Sequence, residues 1–296
     1  MKWMNVVAGV LVCLVSSPIV EAGTVGLWLM DDLVDVTPSP NPGVDPDPPG
    51  GETLYDSSGN GLHFLGTDNF GSLQLSNDVP PAVGVPSSLE SKSGGGHLLS
   101  TPSSTLPNWG TTGALTVEFW YKSTRVTPSI GYVLGFESGP SGPTPGDWGL
   151  YTGSSGSMFH YVRGPGGFTQ VPLGTGASNG SWHHVAFTVD AVGSMKSYLD
   201  GALQNTAAAG APAATSAGVI KFAREENGDG FGDLDFLMDE LRISDVVLLP
   251  GNGTVAGELA WNARLVPEPS AFALAGLAGI ALVAVRFRRG RVGAES

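Results

Sequence analysis

Histidines, acidic turns and aromatic strands are the parts of this chain that have chemistry to offer. His183 and His184 are adjacent in a stretch whose Val185, Phe187 and Val189 alternate with Ala186 and Thr188. That is strand periodicity, so the two imidazoles point to opposite faces and cannot share a metal. The chain contains no H-x-H or H-E-x-x-H pattern, no G-x-S-x-G elbow, no Walker loop and no Rossmann fingerprint. Glu118 sits on a strongly alternating strand without a second carboxylate at i+2 or i+4. It is expected to face solvent or a concave sheet surface rather than to act in an acid–base pair. Asp56-Ser57-Ser58-Gly59-Asn60-Gly61 is a turn whose Asp and Asn can bond nearby amides while the glycines take positive φ. The same oxygens are of the hard type that calcium takes.

These residues need strands to hold them. Ser181 to Gly201 predicts a hairpin: one strand to Val189, a loop around Ala191 to Ser194, a return from Met195 to Leu199, and a tight turn at Asp200-Gly201. Gly113 to Ser123 predicts another strand, with Leu115, Val117, Phe119 and Tyr121 on one face and Thr116, Glu118, Trp120 and Lys122 on the other. Tyr132 to Phe136, Trp148 to Tyr151, Ser157 to Val162 and Gly167 to Val171 are four further strands between Gly/Pro/Ser turns, with Leu73 to Leu75 a short one and His97 to Ser100 an edge strand. In Phe236 to Ile243, Phe236 and Met238 have one parity and Leu241 and Ile243 the other. A bulge at Asp239-Glu240 puts all four on one face and re-aims a carboxylate.

Composition sets the limits. The 296 residues include 44 Gly and 22 Pro, so turns are frequent and long helices are not expected. Only 14% of residues are charged and 41% are hydrophobic, enough for a sizeable core. A sandwich can use roughly 200–250 residues, which leaves one domain plus export segments. A net charge of −13 argues against a nucleic-acid partner and suits cations or neutral surfaces such as glycans. The one cysteine, Cys13, lies in an N-terminal hydrophobic run, so the mature chain has no disulfide and no Cys-based zinc site.

Two anchors carry a family resemblance. W-H-H-V-A followed by Y-L-D-G, in Trp182 to Gly201, resembles the LamG-like jelly rolls of the concanavalin A-like lectin/glucanase group. Phe231 to Ser244, FGDLDFLMDELRIS, is similar to that group's closing strand. Trp28 to Asp32, Asp56 to Gly61 and Ala114 to Lys122 fit its opening strand, its D-x-S-G-N-G turn and its E-x-W strand. The resemblance implies an all-β fold, a sandwich of two antiparallel sheets. It implies a structural calcium near the junction of first and last strands, with Asp31, Asp56 and Asp239 as the candidate ligands. It also implies sugar binding by aromatic platforms, for which Trp148, Tyr151 and Tyr161 are the candidates. Period 2 turns Phe159 and Tyr161 away from His160, so the three cannot line one site. Retaining glucanases on this fold carry E-x-D-x-x-E. Asp233, Asp235 and Asp239 match it poorly in residue type, spacing and position, which disfavours a hydrolase.

The ends of the chain address it. Lys2, the apolar run Val6 to Val15 and Val20-Glu21-Ala22 predict a signal peptide over residues 1–22. The jelly-roll domain is expected over 23–265, with a Pro-rich exposed loop inserted at 37–51. Pro267, Glu268 and Pro269 precede an apolar run from Ala271 to Val285, and Arg286, Arg288 and Arg289 follow it. A span over 270–285 is short of the roughly 20 residues that cross comfortably, and the arginines mark its cytoplasmic side. This triplet of motif, span and basic cluster resembles a PEP-CTERM sorting signal, here over 266–296. It implies an exosortase-type processing enzyme as partner, a transient stay in the inner membrane, and a Gram-negative cell surface or extracellular matrix rich in exopolysaccharide as destination. The expectation is therefore an exported, non-enzymatic surface protein that binds glycan or another ligand. A carbohydrate-active enzyme and a purely structural surface protein are the alternatives.

Overall fold

The computed structural model describes residues 23–31, 34–35, 52–67, 73–81, 86–91, 97–100, 113–123, 131–137, 145–153, 156–164, 166–174, 176–210, 218–222 and 235–250. The expected signal peptide, the Pro-rich loop, the membrane span and all six sorting residues, Pro267, Glu268, Pro269, Arg286, Arg288 and Arg289, lie outside the described residues. Among the described residues, no helix is long and apolar enough to cross a membrane.

The described elements are strands apart from one short 3-10 turn, Gly176–Ser178. In chain order they are β1 Thr24–Trp28, β2 Val34–Asp35, β3 Glu52–Leu54, β4 Phe64–Thr67, β5 Leu73–Ser76, β6 Ser88–Ser91, β7 His97–Ser100, β8 Leu115–Lys122 and β9 Gly131–Glu137. There follow β10 Trp148–Thr152, β11 Met158–Gly164, β12 Gly167–Gly174, β13 His183–Val189, β14 Ser194–Leu199, β15 Ala202–Ala208, β16 Val219–Phe222 and β17 Phe236–Ser244. They form two antiparallel sheets. The first runs β15-β14-β13-β8-β17-β6-β5, with β1 sharing the outer edge of β17. The second runs β12-β11-β10-β9-β16-β7-β4-β3-β2. β7 therefore lies inside the second sheet, between β16 and β4, and not at an edge; His97 to Ser100 is too short for its sequence to reveal two partners.

Alternation builds the core. Leu115, Val117, Phe119 and Tyr121 of β8 and Val185, Phe187 and Val189 of β13 all lie in one buried apolar cluster with Leu134, Phe136, Trp148, Leu150 and Val162 of the second sheet. Each such side chain, fully withdrawn from water, stabilises by roughly 1.5–3 kcal/mol. In β17 the ladder to β8 slips between Asp239 and Arg242, and Glu240 takes φ 47°. Phe236, Met238, Leu241 and Ile243 all reach the core across that slip. The parity change in the sequence is thus resolved by a bulge, as strand geometry demands.

The first strand is locked by the D-x-S-G-N-G turn. Asp56 Oδ1 accepts from the amides of Leu27 and Ser58 at 3.0 and 2.9 Å. Its Oδ2 accepts from Ser58 Oγ and the Leu62 amide at 2.8 and 3.0 Å. Trp28 Nε1 donates to the Leu62 carbonyl, and Asn60 Nδ2 to the Val25 carbonyl. β1 itself pairs with the end of β17.

Candidate functional site

The outer face of the second sheet, over β9 to β12, presents aromatic rings in one continuous strip. Strand register places them there. Leu134 lies opposite Leu150, and Phe136 opposite Trp148, on the core side; Gly135 and Gly149 face each other on the outside. Tyr132 pairs with Tyr151 after a bulge, Tyr151 with Phe159, Tyr161 with Gln170, and Arg163 with Phe168. All of these therefore share the outer face. Tyr151 stacks on Phe159 with centroids 5.2 Å apart and ring planes 16° apart. Tyr161 stacks on Phe168 at 5.2 Å and 27°, and Tyr151 and Tyr161 approach to 6.1 Å. The result is a ladder Phe159–Tyr151–Tyr161–Phe168.

Glycines make the ladder lie flat. A Cβ on Gly149 would stand 2.5 Å from Tyr161 Cε1, and one on Gly135 would stand 1.8 Å from the Tyr132 hydroxyl oxygen. The tyrosine rings occupy the space that side chains at 135 and 149 would need, which is why Tyr161 is only 5% exposed on an outward face. Phe159 and Tyr151 are half-buried, and Phe168, at the end of the ladder, is 50% exposed. The Tyr151 hydroxyl donates to Gln170 Oε1, and burial raises the Tyr151 pKa, so the phenol stays neutral and keeps its proton for hydrogen bonding. Such a face offers apolar rings for stacking beside amide and hydroxyl groups for hydrogen bonds.

The sugar-binding candidates fare differently. Tyr151 and Tyr161 belong to the strip. Trp148 does not: it is fully buried and faces the core from the other side of β10. Phe159, Phe168, Gln170 and Arg163 complete the strip; period 2 from Tyr161 and the short Gly164–Gly167 connection are the sequence signals that point to them. His160 is turned into the core against Phe187, at 5.0 Å.

The acidic candidates are not gathered. Among the described residues no three His, Cys, Asp or Glu side chains come together as a metal centre would require. Asp31, Asp56 and Asp239 therefore do not form the three-carboxylate calcium cluster that the resemblance implied. Both oxygens of Asp56 already accept two hydrogen bonds each within the turn. Asp239 is fully buried at the bulge and accepts from the Glu240 amide at 2.8 Å. Of the loose glucanase-like acids, Asp233 lies outside the described residues, and Asp235 is exposed where Asp239 is buried.

Glu118 is not solvent-facing. It is fully buried on the outer face of the first sheet, where it receives Arg242 Nε and Nη2. His184 Nε2 lies 3.1 Å from its other oxygen. The segment after β17 covers this face: Leu248 packs on Ala186 and Tyr198, and its amide donates to Thr116 Oγ1. His183, on the opposite side of β13, meets Asp200 at 2.8 Å and Asn179 at 3.1 Å. The two histidines thus serve separate sites, as their adjacency requires.

Comparison with known proteins agrees with this architecture. No curated protein sequence matches the chain. Among solved structures, similarity extends to botulinum neurotoxin type C, in a study of cell entry dependent upon interaction with two ganglioside molecules, at TM-score 0.54 and 14% identity over 76% of this chain and 48% of that one. It extends also to the binding domain of botulinum neurotoxin DC in complex with rat synaptotagmin II, at TM-score 0.52 and 13% identity over 76% of this chain and 48% of that one. The chain spans about half the length of these neurotoxin chains, and likeness at this identity concerns the fold alone. The PEP-CTERM protein-sorting motif matches residues 265–289, which marks an exported protein sorted at the membrane through exosortase processing. The family model described as concanavalin A-like lectin/glucanases superfamily matches residues 93–252, more than half of the chain, and the protein belongs to that superfamily.

Proposed function

We propose that this is a non-enzymatic glycan-binding protein of the cell surface or extracellular matrix. In this reading residues 1–22 direct export and 23–265 form the exported domain. Residues 266–296 hold the precursor in the inner membrane until processing near Pro267-Glu268-Pro269. The observation that supports binding is the outward ladder Phe159–Tyr151–Tyr161–Phe168 beside Gln170. Flat rings match the apolar faces of pyranoses, and the amide and phenol beside them match hydroxyls. The neurotoxin likeness adds that a sandwich of this kind occurs in binding domains. Against catalysis, Asp235 and Asp239 do not share one environment, whereas glycoside hydrolysis uses two carboxyls flanking one bond.

The test is a glycan array and a reducing-sugar assay on the full-length chain in detergent, with Tyr151→Ala and Phe168→Ala beside it. Binding that both variants lose, with no new reducing ends, is the expected result. Release of reducing ends would replace the reading with an enzyme. Binding unaffected by both variants would move the site elsewhere. The array is run in calcium and in EDTA, because calcium-dependent binding would need ligands such as backbone carbonyls in place of an Asp31–Asp56–Asp239 cluster.

A further inference from the structure

Resting on the glycan-binding reading, we infer that the strip takes acidic polysaccharide, with the carboxylate of a uronic-acid type sugar held by Arg163. Arg163 lies two residues beyond Tyr161 on β11 and directly opposite Phe168 on β12, so its side chain leaves the same outer face as the ladder. Its backbone is fixed from both sides: its amide donates to the Asp147 carbonyl at 2.8 Å, and its carbonyl accepts from the Gly146 amide at 2.7 Å. The side chain is treated differently from three other cations of the described sheets that have carboxylate partners. Arg242 is taken by Glu118, Lys221 by Glu137, and Lys122 by Asp78. Arg163 enters no ion pair among the described residues, and its Nε is buried without a hydrogen-bond acceptor there.

Such a donor is unusual in a chain with 27 acidic residues against 14 basic ones. A buried N–H without an acceptor carries a desolvation cost that an incoming acceptor removes. A guanidinium matches a carboxylate by its fork of parallel donors, and it does so best where neighbouring rings exclude water. The Phe168 and Tyr161 rings, on the same face of the same strand pair, supply that setting and a stacking surface. The net charge of −13 would repel an acidic polymer from the rest of the surface, so a local cation is what makes the encounter productive at this face.

The experiment uses the full-length chain in detergent, with affinity electrophoresis and calorimetry against polygalacturonate, alginate and hyaluronate and their carboxyl-reduced neutral forms. Wild type is expected to bind at least one acidic polymer roughly tenfold more tightly than its reduced form, with affinity falling as salt rises. Arg163→Gln should abolish that preference while leaving the melting temperature unchanged, and Arg163→Lys should restore part of it. Equal binding of acidic and reduced forms, still lost in Phe168→Ala, would overturn the charge assignment and leave the glycan reading standing. Binding to no acidic or neutral polymer would overturn both. A preference that survives Arg163→Gln would overturn the assignment to this residue.

Discussion

The outer faces of the two sheets are built from similar materials and put to opposite uses. On the first sheet, β8, β13 and β17 bring Glu118, His184 and Arg242 together, and Leu248 closes over the neighbouring Ala186 and Tyr198. Its carboxylate is shared by the guanidinium and the imidazole. On the second sheet, β9 to β12 carry the ladder from Phe159 to Phe168, whose last ring is half exposed. Its cation, Arg163, has no such partner among the described residues. Both faces alternate correctly with the core, so hydrophobic period alone does not separate them. What marks the first face is that a later segment of the same chain packs on it. The first face is part of the fold; the second is the one to which the glycan-binding proposal assigns the ligand.

The sharpest way to break this comparison is at Arg242. Arg242→Met leaves the Glu118 carboxylate buried without its guanidinium, which should cost about 3–5 kcal/mol. Urea denaturation measures it. Glu118→Leu combined with Arg242→Met should recover much of that loss, because no uncompensated charge is left inside. A single variant as stable as wild type would mean that the first face is far wetter than its burial implies.

The second effect concerns His160, which is buried between the sheets and whose pKa burial lowers to about 3 from an ordinary 6.5. The folded protein holds this ring neutral, while the unfolded chain protonates it below about pH 6.5. Stability from this group is therefore fully present above the unfolded value and is lost as pH falls towards the folded one. At pH 4.5 the loss is about 2–3 kcal/mol by the linkage relation. His160→Leu should flatten the fall between pH 7.5 and 4.5 by that amount. Identical slopes for variant and wild type would show that His160 gains a proton without unfolding. No comparable loss is expected from the outward ladder, whose members lack a histidine.

The third effect sharpens the role of glycine under the ladder. Gly149→Ala places a methyl where Tyr161 Cε1 now lies, 2.5 Å from the ideal Cβ position. The ring can swing towards solvent, so the cost should be about 1–2 kcal/mol, in the lower part of the range for overpacking. Glycan affinity should fall with it, because the ladder loses its middle rung. Unchanged affinity would show that Tyr161 supports the site without touching ligand.

Much of this was legible in the sequence, and the reasons are specific. Alternation in β8 and β13 named the inward residues because each strand has a strictly apolar inner row. The parity change in Phe236 to Ile243 exposed the β17 bulge because only an extra residue reconciles four core side chains. The role of Asp56 as a turn organiser followed from its neighbours, yet its saturation by four hydrogen bonds depends on β1, distant in sequence. Trp148 was misjudged because aromatic residues suit cores and platforms equally, and the parity of β10 is not apparent in a five-residue strand. The burial of Glu118 was not legible because its partner Arg242 lies 124 residues later. Arg163 stood out only when the partners of the other cations were known.

The smallest effect on stability should come from Phe168, and it is the most direct probe of the difference between the faces. The ring is 50% exposed and its main contact is the stack on Tyr161 at 5.2 Å. Removing it deletes contacts that solvent already interrupts, so Phe168→Ala should change unfolding free energy by less than about 0.5 kcal/mol, as surface substitutions do. A ring that held the fold together would cost about 3–5 kcal/mol when truncated. Affinity should respond in the opposite proportion. Phe168 is the most exposed ring of the ladder, so in the glycan-binding proposal a loss of roughly tenfold in binding is expected, consistent with the worth of an aromatic contact. Phe168→Trp, which keeps a flat ring, should retain binding. Measured together, unchanged urea midpoint and weakened binding would identify the ring as a ligand contact. A large fall in the midpoint would instead make the ladder a structural element like the first face, and the contrast between the two sheets would disappear.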